Sequence, residues 1–454
     1  MKKYDAIIIG FGKGGKTLAA DLAGQGKTVA MIEMSKQMYG GTCINVGCIP
    51  SKSLVNSSHM AIVKNLETFD EKAAFFAEAM AEKERVVTML RGKNYAKLAD
   101  HPNVTVYDGF GSFVTDHVVS IKGEAGEEQI EGEQIFINTG SHSFVPPIPG
   151  MKEGGRVMTS DGVLSLRELP KTLVIIGGGY ISLEFANFFS NFGSRVVLVQ
   201  RDDGFIPRED REIAAAVQQV LADKGVEFIF SAETKQLDED ADKVKVTLVT
   251  KSGELEIDAE TVLIATGRQP NTKGLGLENA GVELTERGAV KVDEHMRTSV
   301  PHIYAMGDVV GGLQFTYKSL DDYRIVKAAL EGGSYVDKGR NLAYSVFIDP
   351  SLSRIGLTYD EATAKGYTNI KEVKLPAAAI PKAHVLRKPV GLLKAVVNLD
   401  DGKILGATLF CEESYEVINI VKLAMDMGAP YTVLKNQVYT HPTMSEALND
   451  LFSF

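Results

Sequence analysis

The chain has 454 residues, 44% of them hydrophobic and 24% charged, a globular make-up long enough for two to four domains that each bury a core. Its 59 acidic residues outnumber 49 basic ones, the formal charge is −10 and no run of five or more Lys and Arg occurs, so nucleic-acid binding is not expected. No stretch approaches the roughly 20 apolar residues of a membrane span, and three cysteines are too few for a secreted disulfide scaffold, so a cytoplasmic location is expected.

Lys2 and Lys3 ahead of Ala6-Ile7-Ile8-Ile9 imitate a signal peptide, but the apolar run is too short and passes into glycines with no cleavage site after it. Residues 4–9 read instead as a strand entering Gly10-Phe11-Gly12-Lys13-Gly14-Gly15. A helix to about residue 26 and a second strand, residues 28–32, follow, closing on Glu33. Gly10, Gly12 and Gly15 have the spacing that gives a tight turn, close approach of backbone to pyrophosphate and helix–strand contact, and Glu33 is placed for a ribose hydroxyl.

Next comes Gly40-Gly41-Thr42-Cys43-Ile44-Asn45-Val46-Gly47-Cys48-Ile49-Pro50-Ser51-Lys52. Four residues separate the cysteines, and Pro50 suits the first turn of a helix, whose amino end would favour Cys48 as a thiolate. Half a zinc site is the rival reading, but no second Cys or His pair of matching spacing appears. A structural disulfide is the other. Redox catalysis is favoured because the pair directly follows a dinucleotide motif in a chain expected in a reducing compartment.

The strand–glycine–strand grammar returns at residues 172–176, Gly177-Gly178-Gly179-Tyr180-Ile181-Ser182 and residues 195–200, so two dinucleotide domains are expected. Gln200 stands where the acid is usual, with Arg201 and Arg208 after it. Loss of the acid removes repulsion of a 2'-phosphate, and an Arg can pair with one, which favours NADPH over NADH while leaving both open. Two similar segments, residues 135–141 with Thr139-Gly140 and residues 262–268 with Thr266-Gly267, mark crossings between domains, the first followed by Val145-Pro146-Pro147-Ile148-Pro149-Gly150. Beyond Gly307-Asp308 and a helical stretch the chain changes character near residue 335. Strands at residues 391–398 and 404–410 and a helix at 415–427 indicate a separate α+β domain. Near the end, His441 is followed five positions on by Glu446, a base with an orienting carboxylate, as thiol chemistry requires.

These residues together resemble the pyridine nucleotide-disulfide oxidoreductases, the family of dihydrolipoyl dehydrogenase, glutathione reductase and mercuric reductase, over essentially the whole chain. The motifs at residues 40–52, Thr139-Gly140, Thr266-Gly267, Gly307-Asp308 and His441 to Glu446 match in order. The resemblance implies an α/β fold of two Rossmann-like dinucleotide-binding domains plus a C-terminal α+β dimerisation domain. Its expected divisions are 1–142 and 269–334 for FAD, 143–268 for NAD(P)H and 335–454 for the interface. It implies Glu33 on the adenosine ribose, Asp308 on the flavin chain, and Thr42, Gly111, Thr139, Gly140 and Thr316 around FAD. Lys52 is expected near the flavin ring, paired with Glu184. Gly177, Gly179, Ile181, Gln200, Arg201 and Gly267 are expected around the nicotinamide nucleotide, with Tyr180 covering its pocket. Cys48 would be the flavin-facing thiol and Cys43 the sulfur that attacks substrate. His441 and Glu446 would act across a homodimer interface on the partner's Cys43.

The segments at residues 9–19, 38–45 and 313–323 are most similar to the bacterial reactive chlorine resistance branch of this family, which implies reduction of hypothiocyanous acid, with copper(II) reduction as a further alternative. Dihydrolipoyl dehydrogenase, or another reductase of a small disulfide, is the first alternative. The ending Asn449-Asp450-Leu451-Phe452-Ser453-Phe454 lacks the C-terminal cysteine pair of mercuric reductases. No metal ligand set is expected. Cys411 reads as a small buried thiol, and Lys13 either as a surface lysine or as a phosphate or substrate contact.

Overall fold

The computed structural model describes every residue except 125 and 153. β1 (Lys2–Ile9), α1 (Lys13–Gly24) and β2 (Val29–Glu33) form the first βαβ unit, in which Ile7, Ile8, Ala30 and Met31 are fully buried. Burial on both faces is the condition under which parallel strands read as continuous apolar runs. The chain continues through α2 (Thr42–Asn45), α3 (Cys48–Val63) and α4 (Phe69–Ala99), the last started by a capping box between Thr68 and Glu71. Then come β3 (Val104–Asp108), β4 (Phe110–Phe113), β5 (Val118–Gly123) and β6 (Gly126–Ile137). The strand order is β3-β2-β1-β6-β5-β4. The long β6 serves two purposes: its first half pairs antiparallel with β5, while its second half runs parallel to β1 and to a later strand at residues 303–305.

A short β7 (Ser141–Ser143) leads to β8 (Val157–Thr159), α5 (Ser160–Val163), β9 (Thr172–Ile176), α6 (Tyr180–Phe192), β10 (Arg195–Val199), α7 (Arg211–Asp223) and β11 (Glu227–Ile229). With β15 (below) they make a parallel five-stranded sheet, order β11-β10-β9-β15-β8, the second dinucleotide unit. An antiparallel sheet of β12 (Glu233–Glu239), β13 (Val244–Thr250) and β14 (Gly253–Ala259) interrupts it before β15 (Thr261–Ile264). β16 (Arg268–Pro270) pairs with β7, so the outgoing and returning crossings lie side by side. α8 (Leu277–Ala280), β17 (Ile303–Ala305) and α9 (Thr316–Leu330) complete the first sheet and its helical cover.

The remaining chain builds an antiparallel sheet, order β18-β19-β22-β21-β20, from β18 (Tyr344–Val346), β19 (Leu352–Gly356), β20 (Ile370–Pro376), β21 (Leu392–Asn398) and β22 (Ile404–Phe410). Its core takes Val417, Ile418 and Val421 from a helix at Ser414–Asp426 and Ala447, Leu448 and Leu451 from one at Ala447–Leu451. Both predicted strands and the predicted helix of this region form within one residue of the expected bounds.

The helix that begins with Cys48 is clamped. Leu54 and Ala61 of α3 pack into one core with Phe76 of α4 and Phe185, Phe188 and Phe189 of α6. Phe76 meets Phe192 edge-on at 5.2 Å and is fully buried. Its truncation to Ala would cost about 3–5 kcal/mol, so the cysteine helix is a rigid mount.

Candidate active site

Two glycines bring the cysteines to the first phosphate loop. Gly41 has φ +83°, and a Cβ there would lie 2.7 Å from Gly12 Cα, so backbone touches backbone and Cys43 is carried beside the start of α1. Gly12 is itself pressed against Asn138, whose Oδ1 accepts from Gly15 N (2.9 Å) and whose Nδ2 donates to Met306 O (2.7 Å). Asn138 thus ties the glycine turn to the strand ends around it.

Cys43 lies in α2 and Cys48 is the first residue of α3. Lys52 stands one turn on from Cys48, and Glu184 one turn on from Tyr180 on α6, so each helix turns two functional side chains to the same cleft. They meet there: Lys52 Nζ donates to Glu184 Oε2 at 2.7 Å and lies 4.8 Å from the Phe347 ring centre, while Phe347 N donates to Glu184 Oε1 at 3.0 Å.

The thiols are unequal. The hydrogen bond from Cys43, then that of Thr316 and the charge of Lys52, hold the Cys48 thiol below its ordinary range against the opposing effect of burial. Cys43, donating that bond and buried, is pushed up. Thr316 Oγ1 lies 3.5 Å from Cys48 Sγ. One thiolate and one protonated thiol side by side is the reduced form of a dithiol–disulfide couple. Cys411, by contrast, is 1% exposed and its thiol is pushed up to about 12 by burial.

The cleft over this pair measures about 1380 Å³, and Lys13, Gly140, Tyr180, Ile181 and Asp308 also line it. Burial raises the Asp308 carboxyl, which accepts from Ser141 Oγ at 2.8 Å. Glu33 is 7% exposed, and its carboxylate accepts from Phe11 N (3.0 Å) and Ser35 N (3.2 Å), fixing it under the glycine turn where a ribose would lie. A glycine cradle that no Cβ could occupy, a fixed acid at its side and a second buried acid along the cleft fit FAD.

The other predicted residues fall around rather than in this cleft. Gly111 packs against Ile9 and Ile32 within its sheet, and Thr139 exchanges hydrogen bonds with Asn271 across the domain crossing. Gly177 (φ +113°) abuts Ala265 O, Gly179 caps α6, and Gly267 has φ +139°. Gln200 lies buried against Gly178, whereas the Arg201 side chain is 82% exposed and Arg208 is exposed. His441 Nδ1 and Glu446 Oε2 are joined at 2.8 Å, but the His441 side chain is 73% exposed and lies outside the cleft of its own chain.

Asn138, Phe347, Tyr344 and Glu209 belong to the site's framework and were not singled out from the sequence. Asn138 had a signal, since it immediately precedes Thr139-Gly140. The other three had none, because their partners are distant in the chain. Asp116, His117 and His302 come together with ligand atoms within 4.8 Å of one another, but the two imidazoles stack parallel at 3.9 Å, which aims their lone pairs alongside rather than at a common point. Among the described residues no helix is long and apolar enough to cross a membrane.

Comparison with known proteins agrees with the geometry. Residues 4–322 match the pyridine nucleotide-disulphide oxidoreductase family, and residues 342–452 match that family's dimerisation domain, which marks the chain as a homodimer. The chain is 48% identical to the probable pyridine nucleotide-disulfide oxidoreductase RclA of Escherichia coli, covering 100% of this chain and 99% of that protein. It is 34% identical to dihydrolipoyl dehydrogenase of Bacillus subtilis, covering 97% and 94%, and 33% identical to a Staphylococcus aureus mercuric reductase, covering 98% and 81%. A solved Cu(II) complex of the HOCl-induced flavoprotein disulfide reductase RclA from Escherichia coli superposes with TM-score 0.93 at 48% identity, over 100% of this chain and 99% of that one. This chain belongs to the pyridine nucleotide-disulfide oxidoreductases, FAD-dependent enzymes that take electrons from NAD(P)H.

Proposed function

We propose that this enzyme reduces hypothiocyanous acid to thiocyanate in oxidant defence, passing electrons outward through Cys43 and Cys48. The observation that carries the reading is the unequal thiol pair at the start of α3, with its thiolate on the Lys52 side. Support for the substrate comes from kinship: the 48% identical relative solved as a structure is described as an HOCl-induced flavoprotein disulfide reductase.

Residues 1–142 and 269–334 would hold FAD, through Glu33 and Asp308, and residues 143–268 would hold the nicotinamide nucleotide, with Tyr180 over its ring and the exposed Arg201 and Arg208 within reach of a 2'-phosphate. The two-electron relay between NAD(P)H and the sulfur pair is the chemistry that FAD would supply when bound there. The chain's own residues then do the following. His441 of the partner subunit, oriented through Nδ1 by the adjacent Glu446, takes the Cys43 proton. Cys43 sulfur attacks the sulfur of HO–SCN, the S–O bond breaks, and the same imidazole returns the proton to the departing hydroxide as water. Cys48 thiolate attacks Cys43 sulfur, releasing thiocyanate and forming the Cys43–Cys48 disulfide. Two electrons pass from the thiols to the substrate, and one water and one thiocyanate leave.

An acceptor screen on the purified flavoprotein, read as NAD(P)H oxidation, tests this. Fast turnover with hypothiocyanous acid and none with lipoamide is expected, and robust NAD⁺ reduction by dihydrolipoamide would overturn it in favour of a dihydrolipoyl dehydrogenase. Copper(II) belongs in the same screen, because the solved relative was obtained as a Cu(II) complex and two adjacent thiols are soft donors.

A further inference from the structure

Behind the cleft wall lies a buried carboxylate that the chemistry above does not use. Glu209 ends the loop that follows β10, and its side chain is 0% exposed. Its Oε1 accepts from two phenols at once, Tyr180 OH at 2.5 Å and Tyr344 OH at 2.5 Å, and the two hydroxyls are 3.1 Å apart. Burial, and after it the charge of Glu209, pushes both phenols far above their ordinary range, so each stays protonated and can donate to the carboxylate. Among the described residues Oε2 has no hydrogen-bond partner, and the Arg354 guanidinium lies 3.7 Å from it.

The three parts come from separate regions. Tyr180 opens α6, Glu209 belongs to the loop that also carries Arg201 and Arg208, and Tyr344 starts β18 in the C-terminal sheet. The rings of Tyr180 and Tyr344 pack at 5.3 Å, and Tyr344 stacks on Phe315, the residue before Thr316. Of the trio, only Tyr180 and Tyr344 face the cleft.

We infer that Glu209 is a positioning residue that latches Tyr180 shut over the nicotinamide pocket, with Tyr344 as the fixed half of the latch. The inference rests on Tyr180 covering that pocket, as proposed above. A latch needs a moving part and a post that tolerates its departure. When Tyr180 swings out to admit the nicotinamide, Glu209 keeps the Tyr344 hydroxyl and the Arg354 charge, so no buried carboxylate is left unpartnered. What opening loses is one hydrogen bond to a charged acceptor. Because the apparent affinity for a ligand scales with the fraction of protein already open, removing that bond tightens nucleotide binding.

The test uses the FAD-loaded homodimer and three variants. Tyr180→Phe keeps the ring and removes the latch bond. Glu209→Gln keeps shape and replaces the charged acceptor by a neutral one, and each of these two variants is the second route should the other fold poorly. Tyr180→Ala removes the cover itself. The expected result is a fall of about tenfold in the KM for NAD(P)H in both Tyr180→Phe and Glu209→Gln, and in Glu209→Gln, whose side chain lies outside the cleft, kcat within about twofold of the parent. An unchanged KM in both, while Tyr180→Ala changes it, would overturn the latch and leave the cover standing. No effect of Tyr180→Ala would remove the cover and the latch with it. A parallel loss of kcat and of bound FAD in Glu209→Gln would show a purely structural residue and overturn the assignment.

Discussion

Lys52 and Glu184, 132 positions apart, close an ion pair of 2.7 Å between α3 and α6 directly beside Cys48. The pair does two things at once. It pins the cysteine helix to the helix that begins with Tyr180, and it sets a positive charge near the thiolate with its counter-charge behind it. Among the influences on Cys48 after the Cys43 hydrogen bond, Lys52 lowers the thiol and Glu184 raises it.

Lys52→Met is therefore expected to raise the Cys48 thiol and to destabilise the protein by about 1–3 kcal/mol, because Glu184 loses a charged partner. Glu184→Gln is expected to move the thiol the other way. Anaerobic pH titration of thiolate absorbance in the reduced protein reads both shifts, and shifts of the same sign would contradict this arrangement.

The same acidity makes stability depend on pH in a definite direction. Cys48 has a folded pKa below the ordinary 9.0, so the stability it contributes is full above that value and is lost as pH falls through the depressed one. Cys43, shifted upward, contributes stability that is lost only as pH rises above the ordinary range. The melting temperature of the reduced protein relative to the disulfide form should rise from acid pH toward 9.0. A pH-independent difference would rule out the unequal pair.

Mixed dimers test whether His441 works on the other subunit. Its side chain is 73% exposed and outside its own cleft. Cys43→Ser and His441→Ala homodimers should each lose acceptor turnover, the latter by about 10²–10³-fold. A heterodimer of the two carries one intact Cys43 facing one intact His441 and should regain about half the parent activity. If the imidazole served its own chain, the heterodimer would be as inactive as either parent variant.

Much of this was legible in the sequence because it is written in local patterns. The two glycine turns, the strand at residues 172–176 and the cysteine segment depend on neighbours in the chain, and they form where expected. The βαβ boundaries shift by a residue or two, since the first helix stops at Gly24, ahead of the turn at Gly26. The antiparallel insertion at residues 233–259 and the 31-residue helix Phe69–Ala99 were not foreseen: the first carries its strand signal, a strict apolar–polar alternation at residues 244–248 and 254–259, within a highly charged stretch, and the second spreads its apolar residues around its circumference, so no single helical stripe stands out. Glu209 and Tyr344 escaped for a different reason. An isolated Glu or Tyr carries no pattern, and only the folded chain shows that two phenols 164 positions apart share one carboxylate.

The proposed leaning toward NADPH rests on Gln200 being buried against Gly178 while Arg201 and Arg208 stay exposed. Replacing both arginines by Ala should raise the KM for NADPH about tenfold and leave that for NADH unchanged, since only the 2'-phosphate loses partners. Steady-state kinetics with both nucleotides measures this, and an equal change for the two would contradict it.

The sharpest test is to follow the sulfurs themselves. The air-oxidised flavoprotein is alkylated before and after anaerobic addition of one equivalent of NAD(P)H, and again after hypothiocyanous acid, and the peptide spanning residues 42–52 is weighed. Cys43 and Cys48 should be joined at the start, both open to alkylation after the nucleotide, and joined again after the oxidant. Consumption of NAD(P)H by the oxidant with the two sulfurs unchanged throughout would contradict electron exit through this pair.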